Sequence, residues 1–582
     1  MAGRPHTPGA DRAVSDRRYP GRDIDRRTTH PTSPNRYIAV DEGNGCRFLP
    51  SSCMVVAPPC PTLRTIVVDP ALGARSIHRK RIPTMTKTPR TMVVAALVAL
   101  TALPLITACD TTRAARALEW CPDVPGHQVE CGIEQRPLVT DQPELGTVAV
   151  SYALVRRRDL DAPAKGTITP NPGGPGVPLI AHAAQATQLA AALLDDHDLL
   201  LIDPRGTGVS SPLDCGADER EFELGTREQQ IQTAARCGER LGPRAAGYTS
   251  AATADDIDAV RERLAIPRLV LYGISYGTFL MPVYAERHPD RVQSMVLTGA
   301  FLPEFDLLNR PNAEAVSLAL RRICARSGAC DGATAVADLR AVAQRLAARP
   351  LEIGGANPML LTEAKLATLI FEVATSNVGA DPGAATLLGS LPAALHAAAI
   401  GDDTGLRHFA ERAVGAPPTE NIDLYITVAC NDYPTVWSRA ATVTERERQY
   451  RQTLAAAAPS ADSAFSLPGF NAAVRDGGDA CIGWPNITAP QPVRANNALL
   501  NVPVLVLSGD LDAITPDAHG EQVAARFADA TFFSVPNTGH VPDLEPSGCV
   551  AGIVDRFIRT GATGPTTCVE SIPPIVVEPV IG

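Results

Sequence analysis

Aromatic residues make up only 4% of this 582-residue chain, and its basic residues form no stripe. With 53 Lys+Arg against 63 Asp+Glu, the formal net charge is −10, which argues against a nucleic-acid partner. No glycine loop stands between strand and helix as a nucleotide phosphate or dinucleotide requires, so no cofactor is expected. There is no Cys-x-x-Cys pair and no histidine cluster of zinc spacing, so no metal is expected either. No internal repeat is evident. What is present is 45% hydrophobic residues, enough for a sizeable core in a chain longer than one ordinary domain.

The two ends differ in charge. Residues 1–84 carry 14 Lys+Arg against 7 Asp+Glu, many prolines and no sustained apolar period, whereas the remainder has a net charge of −17. The first 84 residues are therefore expected to be a disordered or non-native extension. From Met85 the pattern becomes that of a secretory signal over residues 85–108: Lys87 and Arg90, then an apolar run of about 15 residues from Met92 to Ile106. That run is short for a membrane span. Its end, Ile106-Thr107-Ala108-Cys109, resembles a bacterial lipobox, which implies lipid attachment at Cys109, membrane anchoring and an extracytoplasmic location. Translation is expected to start at Met85; the alternative is an internal hydrophobic segment in a long extension.

Ten cysteines follow Cys109. An even number without metal-ligand spacing reads as disulfides in an oxidising compartment, paired between sequence neighbours so that loops stay short. Reduced, buried cysteines are the alternative.

Chemistry concentrates at Leu269 to Thr278. Four apolar residues fit a buried parallel strand, Gly273-Ile274-Ser275-Tyr276-Gly277 follows at once, and Phe279 to Arg287 can continue as a helix. Such a turn holds a serine in strained backbone and needs neighbours almost without side chains. Ser275 is the candidate nucleophile. The amide of Tyr276 would stabilise an oxyanion, with Gly174 in the turn Asn171 to Gly176 as the second donor.

Strands are expected at Thr147 to Val155, on a half-exposed sheet edge, at Gly166 to Thr169, Asp198 to Ile202 and Ser294 to Thr298. Asp203 and Arg205 are expected to pair and fix a loop beneath the serine, and Ser250 to cap the helix leading to the elbow strand. Strands alternating with helices imply a mostly parallel sheet covered on both faces. From about Glu304 to Ala498 helical stretches take over, among them Ala335 to Ala348, Glu363 to Thr375 and Ala385 to Ala399. This gives a first core part over 109–303, a helical cap over 304–498 that could roof the serine, and a final core part over 499–582. Asp432, in the cap, is a candidate carboxylate for a substrate ammonium, with a surface or capping role as the alternative.

The core pattern returns with strands at Val502 to Ser508 and Ala530 to Val535. The first leads into Gly509-Asp510-Leu511-Asp512 and the second into Asn537-Thr538-Gly539-His540. The order Ser, Asp, His is that of an α/β-hydrolase. His540 is the candidate base and Asp512 the candidate acid; Asp510 is the rival, and Asp512 is preferred because it lies further into the loop.

With these residues assembled, the chain is similar to the tripeptidyl aminopeptidase family of actinobacterial secreted α/β-hydrolases, relatives of the proline iminopeptidases. The matching segments are Asn171 to Gly176, Asp203 to Gly208 with Ser210, Gly273 to Thr278, Gly509 to Pro516, and Gly539-His540 followed by Cys549 and Cys568. The resemblance covers nearly everything after Cys109. It implies removal of short peptides or amino acids from free N-termini through an acyl-enzyme. The family's turn usually continues with small residues, whereas Val177-Pro178-Leu179 stands here. A carboxylesterase acting on lipid or small esters is the alternative, and a non-catalytic peptide-binding surface lipoprotein a third reading.

Overall fold

The computed structural model describes residues 118–581 apart from 303–304, 377, 379–384, 416–419, 488–491 and 493–500. The extension, the signal segment and Cys109 lie outside the described residues. Eight strands form one sheet: β1 (Val129–Pro137), β2 (Thr147–Val155), β3 (Thr167–Asn171), β4 (Asp198–Ile202), β5 (Leu269–Ile274), β6 (Val292–Thr298), β7 (Val504–Gly509) and β8 (Ala530–Val535). Their spatial order is β1-β2-β4-β3-β5-β6-β7-β8. β2 runs antiparallel to β1 and β4, and every other pair is parallel.

Alternation along the strands builds two cores. Val150, Tyr152, Leu269, Leu271, Leu297 and Val506 point to one face. Their neighbours Ala153, Val155, Val270, Tyr272, Val296 and Leu505 point to the other, where helix Cys549–Thr560 packs. The sheet is thus buried on both sides, as parallel sheets require. β2 differs from its expected place: it is an inner strand, because β1 covers its outer side.

Between β6 and β7 the chain makes a mainly helical insertion with its own apolar core, including Leu320, Leu339, Leu346, Leu391 and Phe409. Leu511 and Ala513, just beyond β7, belong to the same cluster and tie it to the sheet. The insertion also holds a short hairpin, Leu351–Ile353 with Met359–Leu361, and a π-helical turn, Leu369–Ala374. Glu363 to Thr375 is therefore not one regular α-helix.

Among the described residues five disulfides join Cys121–Cys131, Cys215–Cys237, Cys324–Cys330, Cys430–Cys481 and Cys549–Cys568, each between sequence neighbours. Closing the 51-residue separation of Cys430 and Cys481 removes unfolded-chain entropy worth about 4 kcal/mol. Among the described residues no helix is long and apolar enough to cross a membrane.

Candidate active site

Ser275 follows β5 directly with φ of 56°, a left-handed backbone that L-residues avoid without compensation. Compensation comes from close packing. Ser275 N–H donates to Thr298 O at 3.0 Å, and Ser275 O accepts from Thr278 N at 2.8 Å and Thr278 Oγ1 at 2.6 Å. The flanking glycines are steric necessities. A Cβ on Gly273 would lie 2.4 Å from Gly277 O, and one on Gly277 2.4 Å from Asn171 O.

Tyr276 begins helix Gly277–Arg287, so its amide sits at a positive helix end. The loop after β3 closes on the same point: a Cβ on Gly173 would stand 2.9 Å from Ser275 Cβ and 3.2 Å from Tyr276 N. Backbone without side chains therefore lines the space beside the serine, and Gly174 lines the cavity with Ser275 and Tyr276.

His540 follows β8 and reaches the same cavity. Its Nδ1 is 2.8 Å from Asp512 Oδ2 and 3.1 Å from Thr515 Oγ1, while Thr515 donates to Asp512 Oδ2 at 2.5 Å. Asp512 Oδ1 accepts Ile514 N–H at 2.8 Å. Burial pushes the Asp512 carboxyl up, but the positive charge and hydrogen bond of His540, with those from Thr515 and Ile514, outweigh it and hold it below the ordinary carboxylate range. Asp512 is thus an ionised acceptor that orients the imidazole.

The cavity measures about 370 Å³. Part of its wall is aromatic: Phe301, Phe305 and Tyr433 pack with ring centroids 5.1 to 5.7 Å apart. Its remaining wall carries Glu219, Glu223, Glu372, Glu420 and Asp476 against one guanidinium, Arg475. Arg475 binds Glu420, lies 3.3 Å from Glu372 and stacks on Tyr425 at 4.6 Å. Burial raises the pKa of Glu223, Glu372 and Asp476; at Glu223 Arg475, Arg220 and Lys365 oppose the rise while Glu420 adds to it, and at Glu372 Asp476, Glu420 and Glu223 add to it against Arg475. Like charges are held close together here.

Residues 171–341 match the alpha/beta hydrolase fold family, and residues 467–568 match the TAP-like protein family. The chain is an α/β-hydrolase with a TAP-like region. The hydrolase is 25% identical to tripeptidyl aminopeptidase of Streptomyces coelicolor over 496 residues, which cover 78% of this chain and 86% of that protein. It is also 25% identical to serine protease Hip1 of Mycobacterium bovis over 555 residues, covering 84% and 99%. A solved proline iminopeptidase of Mycobacterium smegmatis shares 16% identity over 74% of this chain and 98% of that one, at a TM-score of 0.33. The two curated relatives and the matched fold make this protein a serine hydrolase.

For Asp432 the structure favours the capping alternative over the substrate carboxylate, and two other sequence expectations need correction in this hydrolase. Asp432 does not line the cavity; it ends the buried helix Ile422–Asp432 and accepts the Ser250 amide at 2.6 Å, beside a Ser250 hydroxyl that meets Tyr276 Oη at 2.6 Å. It caps the helix start behind the elbow. Thr249, not Ser250, is the N-cap residue of that helix. Asp203 and Arg205 do not pair: Asp203 accepts the amides of Leu179, Ile180 and Val209, while Arg205 forks onto Asp256. Between them they fix two loops flanking the site.

The rival acid, Asp510, is engaged by partners other than His540. It accepts from Arg326 and from Asn537 N at 2.8 Å. Sequence reading passed over the cavity carboxylates and His519, a buried cavity residue whose pKa burial pushes down. These residues come from segments more than 40 positions apart, so no spacing marks them.

Burial raises the Asp432 pKa to about 7, against hydrogen bonds from Ser250 that lower it. Its unfolded value is about 3.9, so the folded state holds the proton longer and its stability falls as pH rises from about 4 to 7, by at most about 1.4 kcal/mol per unit. Asp432→Asn is expected to remove that slope. Denaturant midpoints of both proteins at pH 4.5, 6 and 8 check it: wild type should lose ground to the variant across the series, and parallel curves would refute the assignment.

Proposed function

We propose that this serine hydrolase is an aminopeptidase that releases amino acids or short peptides from free N-termini. The carrying observation is the excess of carboxylates over cations in the wall of the cavity that holds Ser275 and His540. A substrate ammonium would offset the burial, and the smaller repulsion from neighbouring carboxylates, that raise Glu223 and Glu372. The aromatic wall supplies an apolar seat for the residue that is acylated.

In this reading His540 takes the Ser275 proton as Oγ attacks the scissile carbonyl, with Asp512 holding the imidazole and stabilising its cation. The amides of Tyr276 and Gly174 receive the developing oxyanion. His540 then passes the proton to the leaving amine, and water resolves the acyl-enzyme. The five disulfides and the segment ending at Cys109 support an exported, lipid-anchored protein at the cell envelope.

The test compares tripeptidyl amides bearing a free amine with N-acetylated counterparts. A desolvated ion pair lost on blocking is worth about 2–5 kcal/mol, so kcat/KM should fall at least roughly 30-fold. The double variant Glu223→Gln, Glu372→Gln should erase most of that discrimination. Equal turnover of both substrates would remove the aminopeptidase reading, and ester turnover without amide turnover would establish a carboxylesterase.

A further inference from the structure

A second cavity, of about 190 Å³, shares two wall residues, Pro172 and Ile274, with the cavity that holds Ser275. Its lining is mainly apolar, with His182, Gln185 and Asp555 as its polar members. Ile168, Pro170 and Pro172 on β3 and its loop, with Tyr272 and Ile274 on β5, are alternate residues and so belong to one face of the sheet. Helix Ala183–Leu189 and helix Cys549–Thr560 supply other walls through Ala186, Leu189, Ala551 and Val554. Leu544, four residues after His540, also lines it and is 55% exposed. The apolar surface therefore runs from the neighbour of the nucleophile, Ile274, to the segment that follows the base.

We propose that this cavity is the subsite for an apolar side chain of the departing part of the substrate, the amine released when Ser275 is acylated. The inference rests on the aminopeptidase reading. There the acyl part, with its ammonium, fills the carboxylate-lined cavity, so the leaving chain must exit elsewhere past His540, which gives it a proton. Pro172 and Ile274 stand at that divide. Size limits the occupant: an apolar cavity of about 150 Å³ holds one benzene, so this one suits a single aromatic or branched aliphatic group. Such a group would also cover Leu544. Burying it stabilises the transition state by about 1.5–3 kcal/mol, which is a preference of roughly 10- to 100-fold.

The experiment measures kcat/KM of the whole chain for one free-amine tripeptide joined to Phe, Leu, Gly or Asp amides. The expected ratio of Phe or Leu over Gly is about 10 to 100 in wild type, falling toward unity in Ala551→Phe, which fills the cavity. Leu544→Asp changes an exposed position and should lower the same ratio without needing the core to repack. No preference in wild type, or a preference that survives both substitutions, overturns the subsite. Benzyl and methyl esters of one acyl group form the second arm. If amides are inert but the benzyl ester is favoured and both variants abolish that preference, the subsite stands and the aminopeptidase reading falls. Absence of turnover on both arms overturns the two together.

Discussion

Ser275→Ala is expected to abolish turnover, lowering kcat by roughly 10⁶-fold, with the fold intact. The backbone at this position already pays for its left-handed φ of 56° through the bonds to Thr298 and Thr278, none of which uses the hydroxyl. Alanine inherits that geometry. What disappears is the only atom that can carry the acyl group, so single-turnover experiments should show no acyl-enzyme burst and a fluorophosphonate probe should fail to label the variant. The oxyanion amides and cavity remain, so some catalysis over the uncatalysed reaction persists. Retained turnover within 100-fold of wild type would move the nucleophile elsewhere, and an unchanged circular dichroism spectrum would exclude unfolding as the cause of a loss.

The parts of this molecule legible in sequence are those set by local chemistry. The elbow announces itself because a strained serine needs Gly273 and Gly277 within two residues, and β4, β5 and β7 are dominated by short apolar runs. β1 escapes notice for the opposite reason. Its sequence Val-Glu-Cys-Gly-Ile-Glu-Gln-Arg-Pro is intermediate or exposed throughout, as befits an edge strand, and its apolar alternation, Val129, Cys131 and Ile133, ends at Glu134-Gln135-Arg136. The cavity wall escapes for a third reason. Glu219, Glu372, Glu420 and Arg475 come from four separate segments and meet only after the insertion has folded over the sheet. Asp432 shows the converse hazard: a carboxylate beside a cysteine in the cap looks available in sequence, yet its helix is buried on every side.

Asp512→Asn should lower kcat by about 10⁴-fold, whereas Asp510→Asn should change it by less than about tenfold. Both aspartates follow β7 within three residues of its end, and sequence spacing treats them nearly alike. Their surroundings do not. Asp512 is buried, accepts from Thr515 and Ile514, and turns its Oδ2 to His540 Nδ1, so it holds the proton on Nδ1 and leaves Nε2 free to take a proton from the serine. An asparagine there can donate its amide to Nδ1 and drive the proton to Nε2, the tautomer that cannot act as base. Thr515 Oγ1, 3.1 Å from the same nitrogen, can then accept or donate and does not enforce the right tautomer alone. Asp510 instead anchors Arg326 and the Asn537 amide, so its loss should appear in the melting temperature. The pH profile separates the two roles. If the Asp512→Asn defect is a missing base, hydroxide should partly replace it and the residual rate should climb with pH above 8. A flat profile, or equal losses for the two variants, would mean that neither carboxylate orients His540.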